Sequence, residues 1–72
     1  MYIVIEMQTN GETTAILTNV YNTKDVAYQK FHTILAAAAV STIDVHTAVI
    51  MNEFGTVEDR GTFDHRTEAA GE

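Results

Sequence analysis

The sequence predicts an α+β fold: a four-stranded antiparallel sheet with one helix on one face, in the order β-β-α-β-β. Three observations predict it. A β-rich run of period two opens the chain and meets an Asn-Gly pair. The periodicity then becomes helical through the middle of the chain. Alternation returns afterwards and is interrupted by a turn around Gly55.

The first strand is "YIVIEMQT", Tyr2 to Thr9. Ile3, Ile5 and Met7 share one face, with Tyr2, Val4, Glu6 and Gln8 on the other. Asn10-Gly11 suits a two-residue hairpin turn, because both residues tolerate positive φ. "TTAILTNVYN" is the return strand. A helix follows over about residues 24–40, with Asn22 or Thr23 as its N-cap and Asp25 in the first turn, where the dipole favours an anion. Ala27, Phe31, Ile34 and Ala38 form its apolar stripe. "TIDVHTAVIMN" is a third strand, largely apolar on both faces, which suits a central strand or one buried by a partner. "VEDRGTFDHR" is more polar and broken by Gly61, so it reads as an edge. The domain covers 1–66, and 67–72 reads as a flexible tail.

A chain of 72 residues is a single domain whose core supplies only about 3–5 kcal/mol without help. The absence of cysteine excludes disulfides, thiolate metal sites and cysteine nucleophiles. Self-association is the remaining aid, and the sequence predicts a homo-oligomer. One helix covers one face only. The other face is expected to carry Tyr2, Val4 and Ile50, with Leu17 and Tyr21, as a second buried surface. Ala36, Ala37 and Ala39 belong to a run of alanines that leaves the helix slim on all sides. That lets the sheet or a symmetry-related helix come close.

The net charge of −6 argues against direct nucleic-acid binding. No apolar run is long enough for a membrane helix, and the first residues lack a basic signal region, so a cytoplasmic protein is expected. No phosphate loop, zinc-protease motif or calcium loop occurs. His32, His46 and His65 have no metal-ligand spacing, and neither a metal nor a cofactor is expected. Ser41, His46 and Asp44 are the residue types of a hydrolytic triad, but no nucleophile-elbow glycines accompany them. An enzyme is not expected. His46 stands mid-strand among apolar residues and needs a polar partner, Asp44 or Glu6. Phe63, with Arg60, His65 and Arg66, is a local aromatic–cationic cluster. Together with His46 and Lys24 it forms the candidate ligand-binding set. Glu53, Glu58, Asp59 and Asp64 gather in the last hairpin.

The stretches "YIVIEMQT", "YQKFHTILAAAAVS" and "DVHTAVIMNEFG" resemble a group of short uncharacterised proteins. These are carried by prophages and integrative elements of Gram-positive bacteria, many from gut communities. The similarity covers about residues 2–56, and the segment from Thr56 onward departs from it. The resemblance implies an accessory protein of a phage or mobile element and carries over no catalytic residue. Two functions fit that setting. One is counter-defence by binding, either sequestering a nucleotide immune signal or blocking a host defence protein. The other is a structural or assembly accessory that only joins proteins together.

Overall fold

The computed structural model describes residues 1–66, so the tail expected over 67–72 lies outside the described residues. The chain forms β1 (Tyr2–Asn10), β2 (Thr13–Tyr21), α1 (Lys24–Ala39), β3 (Val45–Asn52) and β4 (Val57–Asp64). All pairings are antiparallel, and the strand order is β2-β1-β3-β4. The two hairpins therefore lie side by side, with β1 and β3 at the centre. This is the α+β arrangement that the change of periodicity predicts.

The first turn differs by one residue from expectation. Asn10 pairs with Thr13, which leaves Gly11 and Glu12 as the turn. Gly11 has φ of 59° and, among the described residues, no non-glycine residue has positive φ, the signature of a turn with glycine at its first position. Asn10 instead ends the strand and turns its side chain to other use. Its Oδ1 accepts the Asp44 backbone N–H at 3.0 Å, and the Gly11 N–H donates to Asp44 Oδ2 at 2.9 Å. The loop after α1 is thereby tied to the first hairpin. It also explains why β3 begins at Val45 rather than Thr42.

Helix α1 buries Ala27, Phe31, Ile34 and Ala38, the stripe read from its spacing. Thr23 holds the N-cap position in an extended conformation, without a side-chain capping bond. Ala38 is the member of the alanine run that meets the core; Ala36, Ala37 and Ala39 face outward.

The helix covers the opposite sheet face from the one anticipated. Register pairs Val4 with Ile50, Glu6 with Ala48 and Gln8 with His46. Val4, Ala48 and Ile50 are fully buried in the cluster around Phe31, with Tyr2 and Tyr21 packed against it. Tyr2, Val4 and Ile50 therefore belong to the subunit core, and Val4 and Ile50 offer no surface to a second chain. The physical reason is helix clearance. Small residues on this face, Ala48 and its β4 neighbour Gly61, let α1 come close. A β-carbon on Gly61 would lie 2.9 Å from Leu35 Cδ2. The uncovered face carries Ile3, Ile5, Met7, Val45, Val49 and Met51, all half-buried. A bulge opposite Ile50–Met51 places Glu58 as the extra residue of β4. Among the described residues, no helix is long and apolar enough to cross a membrane.

Gly61→Val is expected to lower the unfolding free energy by about 1–3 kcal/mol through overpacking against Leu35. Combining it with Leu35→Ala should cost less than the two single changes together, as chemical denaturation of the four proteins will measure. Additive losses would show that Gly61 does not set the helix clearance.

Candidate functional site

The chemistry-bearing side chains gather where α1 ends. Helix termini leave carbonyls without intrahelical partners, and the carbonyl of Ala38 is one of them. It accepts the Ser41 N–H at 3.3 Å, the Ser41 hydroxyl at 3.2 Å and His65 Nε2–H at 2.8 Å. Ser41 Oγ also lies 3.3 Å from His46 Nδ1. On the far side of the ring, His46 Nε2 stands 2.5 Å from Glu6 Oε2. The Gln8 side-chain amide donates to the same carboxylate oxygen at 2.8 Å. A polar line thus runs from β1 through β3 to the helix end.

Each position has a local cause. His46 lies on the helix-facing side of β3, one register step from Ala48, and is 3% exposed. Its Cα partner is Gln8 across the ladder, which brings Glu6 into reach on the same face. Of the two partners open to His46, Glu6 is the one taken; Asp44 is occupied at the first hairpin turn. Glu6 is ionised and accepts, so Nε2 carries the hydrogen. Burial alone would raise the Glu6 carboxyl above its ordinary 4.5. Hydrogen bonds from Gln8 and His46, and attraction to His46 and Lys30, outweigh that and hold it lower.

The structure brings three of the candidate ligand-binding residues together. Phe63 pairs with His46 across the β3–β4 ladder. His65 stacks on Phe63 with ring centroids 6.3 Å apart and planes 8° from parallel. The other three lie elsewhere. Arg60 pairs with Val49 and so projects to the uncovered face. Arg66 binds Asp64 through Nε at 2.9 Å and Nη2 at 2.7 Å, and holds that carboxyl down at about 2. Lys24 sits at the opposite end of α1, 3.8 Å from Glu58. The cations do not form one cluster. His32 is exposed on α1 and packs its ring 5.4 Å from that of Phe31.

Ser41, His46 and Glu6 match the residue types of a hydrolytic triad in an altered set, with Glu6 in the place given to Asp44. The single hydroxyl hydrogen of Ser41 has two acceptors within reach, the Ala38 carbonyl and His46 Nδ1, and His46 has almost no exposed surface. The line anchors the helix end to the two central strands. No three described His, Asp or Glu residues are arranged to hold a metal ion.

A second feature lies at the β3–β4 turn and escapes motif reading. Asn52 Oδ1 accepts the N–H of Phe54 at 2.9 Å and of Thr56 at 3.1 Å. Asn52 and Thr56 also pair through their backbones, and the Gly55 N–H donates to the Asn52 carbonyl, each at 3.0 Å. Gly55, at φ of 84°, takes the position where a side chain would be strained. Phe54 is left 86% exposed on this braced turn. Glu53 beside it holds the N-terminal ammonium at 2.9 Å. The signal in the sequence was Asn52 two residues before an aromatic, a spacing that fits a side-chain-braced turn.

In comparisons with protein-family profiles, curated proteins and solved structures, the chain matches none.

Because the Glu6 carboxyl is lower in the folded state, its contribution to stability is fully present above about pH 4.5, the ordinary value. It is lost as pH falls through the lowered folded value. Urea unfolding from pH 7 downward should therefore show a steep acid loss of stability that is shallower in Glu6→Gln. The variant should also lose about 1–3 kcal/mol at neutral pH. An unchanged acid slope would remove Glu6 as its source.

Proposed function

We propose that this chain is a non-enzymatic binding protein of a phage or mobile element. It acts in the bacterial cytoplasm by blocking a host defence protein. The observation that carries the reading is the β3–β4 turn. Rigid, exposed aromatics are the residues that anchor protein interfaces, since they bury much area at little entropic cost. Asn52 fixes the Phe54 backbone through its N–H, and the ring stands exposed on that braced turn. Acidic residues surround it in sequence: Glu53 on the turn, which also holds the N-terminal ammonium, and on the adjoining strand Glu58, paired with Lys24, and Asp59. An apolar anchor within an acidic hairpin fits a basic target surface, such as one that normally receives phosphates. The net charge of −6 favours the same encounter.

Sequestering a nucleotide signal is the weaker of the two counter-defence readings. It needs converging cations, whereas Lys24, Arg60 and Arg66 point to three different regions and Lys24 and Arg66 are engaged by acids within the subunit.

The test is phage plating on bacterial hosts that each carry one defined defence system, with and without this chain. Plating is expected to recover on at least one such host, and Phe54→Ala should abolish the recovery while leaving the unfolding midpoint unchanged. Recovery that survives Phe54→Ala would move the binding surface elsewhere. No recovery on any host, with co-purification of virion proteins, would favour the assembly accessory instead.

A further inference from the structure

We infer that the uncovered sheet face is a homodimer interface on which a second copy of this chain packs face to face. The face is apolar along its middle and over part of each edge. Ile3, Ile5, Met7, Val49 and Met51 line the two central strands, and Ile16 and Val20 on β2 and Val57 on β4 extend it to both edges; Thr9, Thr14, Thr18, Thr47 and Thr62 share the face, with Arg60 and Asp64 on β4. These edge residues are 64%, 55% and 51% exposed.

Width identifies the occupant. A helix with its side chains is about 10–12 Å across, whereas four strands span about 19 Å. The covered face shows what one helix achieves. Under α1 the central Val4, Ala48 and Ile50 are fully buried, while Leu17 on β2 remains 46% exposed and Phe63 on β4 36%. A partner helix on the other face would leave Ile16, Val20 and Val57 equally wet. A sheet of matching width covers them all, and aligned sheets pack about 10 Å apart with interdigitating side chains. Met7 and Met51 are suited to fill the irregular gaps of such a contact.

Area agrees. Four strands of about eight residues give a flat footprint of roughly 500 Å². The accessible surface of a corrugated face is larger, which approaches the roughly 600–1,000 Å² per partner of a stable interface.

Charge agrees as well. Two copies of a −6 chain repel unless their contact excludes the acids. By register, the charges on this face are Arg60 and Asp64, both on the β4 edge, and Asp64 is held by Arg66. Glu6 and Asp59 pair to residues of the covered face. Glu12, Asp44 and Glu53 lie in turns and loops, and Asp25 on the helix. A thin core gains most from such a contact, and each dimer then presents two Phe54 turns.

Light scattering and sedimentation of the full chain at micromolar concentration should give twice 7.9 kDa. Val49→Lys should weaken the dimer by at least about tenfold while retaining far-UV circular dichroism. Because a monomer with this face exposed is prone to unfold, single-cysteine variants of the otherwise cysteine-free chain provide the second measurement. Ile5→Cys and Val49→Cys should each be joined into covalent dimers by a short bis-maleimide, and Ala37→Cys on the outer side of α1 should not. A monomeric wild-type chain overturns the inference. So does a folded Val49→Lys dimer, or cross-linking through Ala37→Cys alone. The plating test is separate: recovery by a monomer removes the dimer only, and a dimer without recovery removes only the counter-defence reading.

Discussion

One helix is narrower than the four strands it lies on, and most of this molecule follows from that mismatch. Phe31, Ile34, Ala27 and Ala38 seal β1 and β3, but they cannot reach the outer strands. The two sheet edges stay partly wet on the covered side, and the reverse side has no cover within the subunit. A chain of 72 residues has no spare segment of comparable size among its described elements. The apolar residues of the reverse face are therefore either a standing cost in water or a surface kept for contact. Their restriction to one side of four consecutive strands, with charge confined to one edge, fits contact.

Close approach of α1 depends on what the sheet lacks. Ala48 at the centre and Gly61 beside it provide the depression into which Leu35 and its neighbours settle. On the reverse face Val49, Ile5 and Met51 stand in the corresponding places and would hold a helix off. The same selection explains the buried polar pair. His46 and Glu6 also lie on the helix-facing side, where a lone imidazole or carboxylate would be costly. Each satisfies the other, Gln8 adds a second hydrogen bond to the same carboxylate oxygen, and Ser41 links the ring to the helix end. A register slip by one residue would turn both to the opposite face, so the pair stabilises one alignment of β1 on β3 against its neighbours.

The helix and its buried stripe were legible because a period near 3.6 is local and Phe31 and Ile34 are unambiguous. The central placement of β3 was legible from its apolarity on both sides. The choice of covered face was not. Period two separates the faces without saying which one meets the helix, and that decision rests on Ala48 opposing Gly61, a pairing visible only after the fold closes. The dispersal of the cationic set has a simpler origin. Arg60 and Phe63 differ by an odd number of positions in one strand, so they point to opposite sides. His46 with Phe63, by contrast, is a cross-strand pair, and His65 joins them through the end of β4. The partnership of His46 with Glu6 spans 40 positions, beyond any local pattern, although the need for an acidic partner was readable from its apolar surroundings.

The two surfaces left to act outward are therefore unlike in kind. The reverse sheet face is broad, flat and uncharged at its centre, which is suited to a surface of its own shape. The Phe54 turn is narrow and acidic, and it is braced by Asn52 rather than by packing. A narrow anchor alone buries too little to hold a partner tightly, since interface free energy is concentrated in few residues but needs surrounding contact to exclude water. Two such anchors on the proposed dimer would change that balance. When both engage a single target, the second contact forms at the effective concentration set by the first. On the proposed dimer, the unsatisfied face, a liability for the isolated subunit, would be the element that lets a small acidic turn bind effectively.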